Sequence, residues 1–505
     1  MPDRPVVSLT AGRFVCVMRV KKKRRPSPGQ GRTRMRNTQD IWSYVDAKKA
    51  AFEKLADDVW AVPETCFGEF KSVALHTQAL EAEGFRVTRN CGGLPTAVMG
   101  EAGEGGPVIA ILGEFDALPG LSQEAGVAER REIESGGAGH GCGHNLLGAG
   151  AMLAATAVKD YLAKNGLKGR VRYYGCPAEE GGSGKAFMVR EGAFDDVDIA
   201  ISWHPAPFMA LNVANSLSMI QVDFTFAGRA SHAAAAPHLG RSALDAVELM
   251  NVGVNYMREH VPSDARIHYA ITDSGGLQPN VVQAKAKVRY MVRAIELPTM
   301  WNILERVKKV AEGAALMTET TVTSQVVSAM SNLLGNGPLE KAMQANLQHL
   351  GPPPFDEADR AFASQMQGTF QDEDIATAYR RFGMVRSDAP LGVEVVPADS
   401  PRAQLRGSTD VGDVSWVVPT VQTYGATYAI GTPPHSWQMV AQGKAPAAHK
   451  GMTQAAKAMA ATALDCLRDS ALLSDAKADF AARTKTFAYK SPLPADTRPP
   501  VVKPS

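Results

Sequence analysis

The chain has 505 residues, 54 Lys and Arg against 52 Asp and Glu, 45% hydrophobic residues and 6 Cys. That length exceeds what one hydrophobic core supports, and the hydrophobic share excludes a mostly disordered chain. No uninterrupted apolar run approaches the ~18 residues that a membrane span needs, and six scattered Cys make no disulfide framework, so we expect no membrane partner and a reducing compartment, the cytoplasm.

The formal charge of +2 hides an asymmetry. Residues 1–34 hold ten basic residues and one acid, Asp3, which leaves the remainder acidic at about −7. The apolar stretch of this head contains Arg13 and Arg19, and its KKKRR cluster follows that stretch, so it does not read as a signal peptide. KKKRR admits a nuclear-localisation or nucleic-acid reading, but a lone basic run is more often a solvated tail. Residues 1–34 are therefore expected to be a disordered extension, with Met35 as an alternative start.

From Thr38 the spacing of Ile41, Tyr44, Val45, Phe52, Leu55 and Val59 predicts a helix, and a second covers Phe70–Glu83 before Gly84. Apolar strands are predicted at 108–112, 171–175 and 199–203, interleaved with helices at 146–162 and 184–190. Continuous apolar strands alternating with helices indicate a mostly parallel sheet covered on both faces. Near residue 218 the period changes to strict alternation, with Ile220, Val222, Phe224 and Phe226 on one face. Strands at 219–226, 266–272, 281–293 and 320–329, with helices at 242–260 and 299–316, give the β-α-β-β-α-β order of a ferredoxin-like α+β domain. Helix continues to Leu350, and the Pro- and Asp-rich stretch 351–406 reads as an elaborated connection. Residues 407–435 and a helix over 450–472 return to the first domain. The expected organisation is thus a discontinuous α/β catalytic domain (35–217 and 331–489), an inserted domain (218–330) and a disordered Pro-rich tail (490–505).

Ligand-type side chains collect at the predicted strand ends. Gly141-Cys142-Gly143-His144-Asn145 precedes a helix; thiolate and imidazole suit zinc-class metals, and the glycines let the backbone bend, although a glycine-rich phosphate loop remains an alternative. Glu179-Glu180 follows a buried strand, where one carboxylate can hold a metal and the other serve as general base; the alternative is a solvated acidic turn. The next residues, Gly182-Ser183-Gly184-Lys185, fail as a phosphate-binding loop because Ala186 replaces the required hydroxyl residue. His204 ends a third strand and His435 follows an apolar run, and open α/β sheets place their sites at such strand ends.

The segments GEFDALP, HGCGHN, PAEEGGSGK, SWHP, FAGRASHAAAAPHLGRSALDA and GTPPHSWQ resemble the aminoacylase/carboxypeptidase class of binuclear metallo-amidohydrolases. The FDEADRAFA stretch near Phe355 is similar to its aminobenzoyl-glutamate-type branch. The resemblance implies that Cys142, His144, Glu180, His204 and His435 ligate two divalent ions per subunit, manganese or zinc with cobalt also open. It further implies that Glu179 is the general base and acid, and that Asp116 orients a ligand. On the inserted domain, a lid and dimerisation element, it implies that His232 stabilises an oxyanion in a partner subunit's site and that Asn280 and Arg293 bind the substrate carboxylate. The implied reaction is hydrolysis of an N-acyl amino acid, foremost p-aminobenzoyl-glutamate, with other conjugates such as indole-acetyl-aspartate open. The implied assembly is a homodimer, or a dimer with a related second subunit, without nucleic acid. Two positions depart from the wider class: Asn145 stands for a usual Asp, and Glu114 for a usual Asp or His.

Overall fold

The computed structural model describes residues 39–401 and 407–502, so the basic head expected at 1–34 lies outside the described residues. The chain opens with α1 (Gln39–Trp60), α2 (Phe70–Ala82), β1 (Arg86–Arg89), β2 (Val98–Glu104), β3 (Val108–Glu114), α3 (His144–Asn165), β4 (Gly169–Cys176), α4 (Gly184–Arg190), β5 (Ile199–Ala206) and β6 (Ala210–Asn212). It continues through β7 (Ser218–Ala227), α5 (Ala243–Met257), β8 (Arg266–Asp273), β9 (Lys285–Ala294), α6 (Leu297–Thr318) and β10 (Thr321–Met330). The last part comprises α7 (Gly337–Leu350), α8 (Glu357–Gln367), α9 (Asp372–Phe382), α10 (Val411–Ser415), β11 (Thr420–Ala426), α11 (Trp437–Gln442), α12 (Pro446–Arg468) and α13 (Ser470–Thr484).

A seven-stranded sheet runs β1-β2-β4-β3-β5-β11-β6. Its centre is parallel, with Ile111 level with both Tyr173 and Ile201, and this register brings the carboxyl ends of the strands together. Every residue of β3 is buried, because alternate side chains serve two layers. Ile109 and Ile111 join the core of α1, α3 and α12, while Ala110 and Leu112 join Ala186 and Phe187 of α4 on the other face. The isoleucine, leucine and phenylalanine side chains among these each contribute about 1.5–3 kcal/mol on burial.

The expectation of a mostly parallel sheet needs correction: the sheet is mixed. β1 and β2 pair antiparallel with each other and β2 with β4, and β6 pairs antiparallel with β11. These strands were not expected. β6 has three residues, and β1 (Arg-Val-Thr-Arg) is a short, charged edge with no buried face, the kind of edge that blunts unwanted strand pairing. Helix α3, 22 residues long, is the described helix apolar and long enough to cross a membrane, yet 83% of its apolar window is buried inside the protein, as befits a core helix.

The second sheet, β10-β7-β9-β8, is wholly antiparallel and, with α5 and α6, occupies Ser218–Met330. β9 alternates buried and less buried residues because one face meets the helices, while β8 at the edge is mostly exposed. β9 begins at Lys285, four residues later than its apolar pattern predicted. The tail expected to be disordered from 490 is seated on the protein as far as Val502. Leu493 is buried, Arg190 donates to the carbonyls of Pro494 (2.9 Å) and Thr497 (3.0 Å), and Val502 N donates to Phe67 O (3.2 Å).

Candidate metal centre and active site

Carboxyl ends of β3, β4 and β5 and the turn after β11 converge on the entrance to α3. β3 delivers Glu114 and Asp116, the turn after β4 delivers Glu179 and Glu180, β5 carries His204, and His435 lies just before α11. Between Cys142 and His144 stands Gly143 at φ 79°, where a Cβ would come within 3.0 Å of Pro205. Only glycine combines that left-handed turn with that proximity, and the turn brings the thiol and the imidazole to the same place.

Three groups of donor atoms lie within 4.8 Å of one another: Cys142, His144 and His204; Cys142, Glu180 and His435; and Glu114, His144 and Glu179. Cys142 Sγ is 3.3 Å from His204 Nε2, His435 Nε2 is 3.3 Å from Glu180 Oε2, and His144 Nε2 is 3.2 Å from Glu114 Oε2 and 4.0 Å from Glu180 Oε1. The imidazoles are oriented from behind. His144 Nδ1 meets Asp116 Oδ1 at 2.9 Å and His204 Nδ1 meets Pro205 O at 2.8 Å, so each presents Nε2 to the cluster. The other oxygen of Asp116 accepts the Glu180 N–H at 2.9 Å, fixing the turn that carries the carboxylate pair.

This donor set fits a divalent metal. Glu114 Oε2, His144 Nε2 and Glu180 Oε1 are buried without a hydrogen bond, and thiol, imidazole and carboxylate are the ligands of zinc-class ions. Burial, with Glu114, Glu180 and Asp410 adding, pushes the Glu179 acid well above its usual range, and burial also raises Glu180 and the Cys142 thiol. Burial and the neighbouring His144 bring His204 down to about 4, keeping it neutral, the form that ligates.

Cys142, Glu179, Glu180, His204, His435 and Arg293 line one cavity of about 440 Å³. Arg293, on β9, points a nitrogen at Ser408 Oγ (3.4 Å). His232 and Asn280 do not line it. They lie together on exposed loops of the four-stranded sheet, where His232 bridges Val281 and Ala233 N donates to Asn280 O at 2.9 Å. Asn145 faces away from the cluster; its amide donates to Ala56 O (3.3 Å) and Gly443 O (3.0 Å) and ties α1 to the turn after α11.

Sequence reasoning missed the buried support beneath the cluster. Lys185 is fully buried, its Nζ 2.5 Å from Glu114 Oε1 and 2.7 Å from Asp410 Oδ1. Asp410 is 225 residues away in sequence, so no local pattern joins the pair. The apolar Ala-Phe-Met-Val run after Lys185 was the available signal that this lysine goes inside.

A sequence profile of peptidase family M20/M25/M40 matches residues 110–391. The chain is 47% identical to a p-aminobenzoyl-glutamate hydrolase subunit of Escherichia coli (strain K12), over 92% of this chain and 100% of that protein. Among solved structures, a putative aminohydrolase from methicillin-resistant Staphylococcus aureus aligns with TM-score 0.61 at 17% identity, covering 85% of this chain and 100% of that one. The YXEP protein of Bacillus subtilis, described as a dinuclear metal-binding peptidase of the M20 family, aligns with TM-score 0.52 at 18% identity, covering 83% and 99%. At those identities the two structures establish the shared fold, a mixed-sheet α/β architecture. With the profile spanning more than half of the chain and so close a relative over nearly all of it, this chain belongs to peptidase family M20/M25/M40, as a metallo-amidohydrolase/peptidase.

Proposed function

We propose that the enzyme hydrolyses p-aminobenzoyl-glutamate to p-aminobenzoate and glutamate. The observation that supports this most is the cavity in which Glu179 stands beside the Cys142, His144, Glu180, His204 and His435 cluster, with the Arg293 guanidinium in the same lining. The 47% identity to the Escherichia coli hydrolase subunit supports the choice of acyl group.

Cys142, His144, Glu180, His204 and His435 would hold two divalent ions, with Cys142 common to two of the donor groups. Manganese or zinc fits this mixed S, N and O set, and cobalt is compatible. When bound, the ions supply Lewis-acid polarisation and acidify a water. Glu179 is placed to accept a proton from the attacking water as the water oxygen adds to the amide carbon. When the C–N bond breaks, Glu179 delivers the proton to the departing amine nitrogen. Arg293, with Asn280, binds the α-carboxylate, for which the planar guanidinium fork is better suited than an ammonium. His232 donates to the oxyanion of the tetrahedral intermediate. Because His232 and Asn280 lie outside the cavity lining of their own chain, we assign them to a neighbouring subunit's site, in a dimer formed through the Ser218–Met330 region acting as a lid. That subunit is a second copy or a related chain, and the enzyme works in the cytoplasm.

Glu179→Gln tests the base assignment. Turnover of p-aminobenzoyl-glutamate is expected to fall by about 10²–10⁴-fold with the metal content unchanged. Retained turnover with both ions bound would overturn it.

A further inference from the structure

Two buried cations among the described residues sit against carboxylates. Lys185 has Glu114 and Asp410, and Arg172 has Glu101 and Asp196. Arg381, on α9, is different. Its Nη2 reaches only the Tyr424 hydroxyl, at 3.5 Å, and its buried Nε has no hydrogen-bond partner. Its guanidinium stands over the rings of Phe382 and Tyr424, 5.5 and 5.7 Å from their centroids. Tyr424, Tyr428 and Cys142 are the groups that favour its charge, and among the described residues no carboxylate is in ion-pair range. A guanidinium withdrawn from water without a counter-charge is unfavourable unless something it binds provides one.

Arg381 lines the same cavity as Cys142, His204 and Arg293. It comes from the 351–406 stretch, apart from the strand-end loops that carry the metal cluster. Two guanidinium groups facing one cavity match a substrate with two carboxylates. With Arg293 taking the α-carboxylate, a second anionic position is left. We infer that Arg381 is a specificity-determining residue that binds the side-chain carboxylate of a dicarboxylic amino-acid half, selecting N-acyl glutamates over neutral N-acyl amino acids. This rests on the proposal that the enzyme cleaves N-acyl amino acids. The faces of the two aromatic rings lie within cation–π reach of the guanidinium, whose fork suits a bidentate carboxylate contact.

The test compares p-aminobenzoyl-glutamate with p-aminobenzoyl-glutamine, which replaces only the side-chain carboxylate by a neutral amide. Wild type is expected to favour the glutamate compound. Arg381→Gln is expected to reduce the glutamate-to-glutamine ratio of kcat/KM by about 10- to 150-fold, mainly through KM, and Arg381→Lys to restore part of it. An unchanged ratio overturns the inference. So does an equal loss on both compounds with reduced metal content, which would mark Arg381 as support for Cys142. A further pair, N-(4-carboxybenzoyl)-alanine and N-benzoyl-alanine, carries the second carboxylate on the acyl side; a change confined to this pair also overturns the assignment. N-benzoyl-glutamate and N-benzoyl-glutamine separate the two proposals. If only the benzoyl compounds turn over and their ratio depends on Arg381, the proposed acyl group falls and the role of Arg381 stands. Turnover of neither glutamate compound overturns both.

Discussion

The two sheets hold their polar residues in opposite ways. At the carboxyl ends of the seven-stranded sheet, His144 and Glu180 are packed out of water and aimed from behind by Asp116, while Lys185 pairs with both Glu114 and Asp410 beneath them. On the four-stranded sheet, His232 and Asn280 are exposed, and the same region leaves apolar side chains such as Leu277 (95% exposed) and Tyr256 (75%) in water. The first arrangement is assembled by folding one chain. The second leaves His232 and Asn280 in the open, the arrangement expected of the half-site proposed above. Most of the first is fixed by burial, His435 being the exposed member, whereas the proposed role of the second requires association or closure.

That contrast breaks most sharply at Cys142, which belongs to two donor groups. Cys142→Ser is expected to lower the metal content measured by elemental analysis of the purified protein, and to reduce activity by at least about 10³-fold, since ligand loss removes the Lewis acid with it. Full metal content and activity would mean that the preassembled cluster is not the working centre. A smaller loss is expected at the exposed half. His232→Ala should keep its metal and lose about 10²–10³-fold in kcat, the usual loss for one oxyanion donor. The two halves can then be tested against each other. Mixing His232→Ala chains with Glu179→Gln chains should restore about a quarter of wild-type activity, because half of randomly paired two-fold dimers contain one intact composite site. No recovery from confirmed mixed dimers would place the missing donor within the same chain.

How much of this was legible in the sequence follows the same division. Strands β3, β4 and β5 could be read because burial on both faces makes them continuous apolar runs, and helix α4 was bounded correctly at Gly184 and Arg190. Strands β1, β2 and β6 could not: β1 and β6 are short edges that owe their pairing to a neighbour, and β2 (Val-Met-Gly-Glu-Ala-Gly-Glu) is broken by glycines and charges that hide its apolar pattern. Cys142, His144, Glu179 and His204 stood out because thiol, imidazole and carboxylate groups are costly to gather at buried strand ends unless they bind something there. His232 and Asn280 came from resemblance alone, since nothing local distinguishes them from other loop residues. Lys185 and Arg381 were hard to read for a third reason: a single cation in a sequence reads as surface charge, and beyond the apolar run after Lys185 its meaning appears only with what the fold packs around it.

Glu69 shows how far such hidden support extends, and it gives the smallest and most specific test of the contrast. Its buried carboxyl Oε1 accepts the N–H groups of Phe67 (3.0 Å) and Ala178 (2.9 Å). Both residues have φ near 60°, a conformation that non-glycine residues adopt at a cost, and Ala178 immediately precedes Glu179. Burial, with the negative Asp116 adding, pushes the Glu69 acid up to about 8. In the unfolded chain it titrates near its ordinary value of about 4.3, so between those two pH values the folded state carries the extra proton. Stability therefore falls as pH rises through this window and levels off above it. Glu69→Gln keeps an acceptor for both N–H groups and removes the titration. Its Tm relative to wild type should accordingly climb by a few degrees from about pH 5 to about pH 8 and then plateau. Glu69→Leu removes the acceptor, releases the turn before Glu179, and should lower kcat at every pH, whereas the Gln variant keeps most of it. A wild-type advantage over Glu69→Gln that grows with pH would show instead that the ionised carboxylate holds the turn, and that this part of the preassembled half depends on charge as well as on shape.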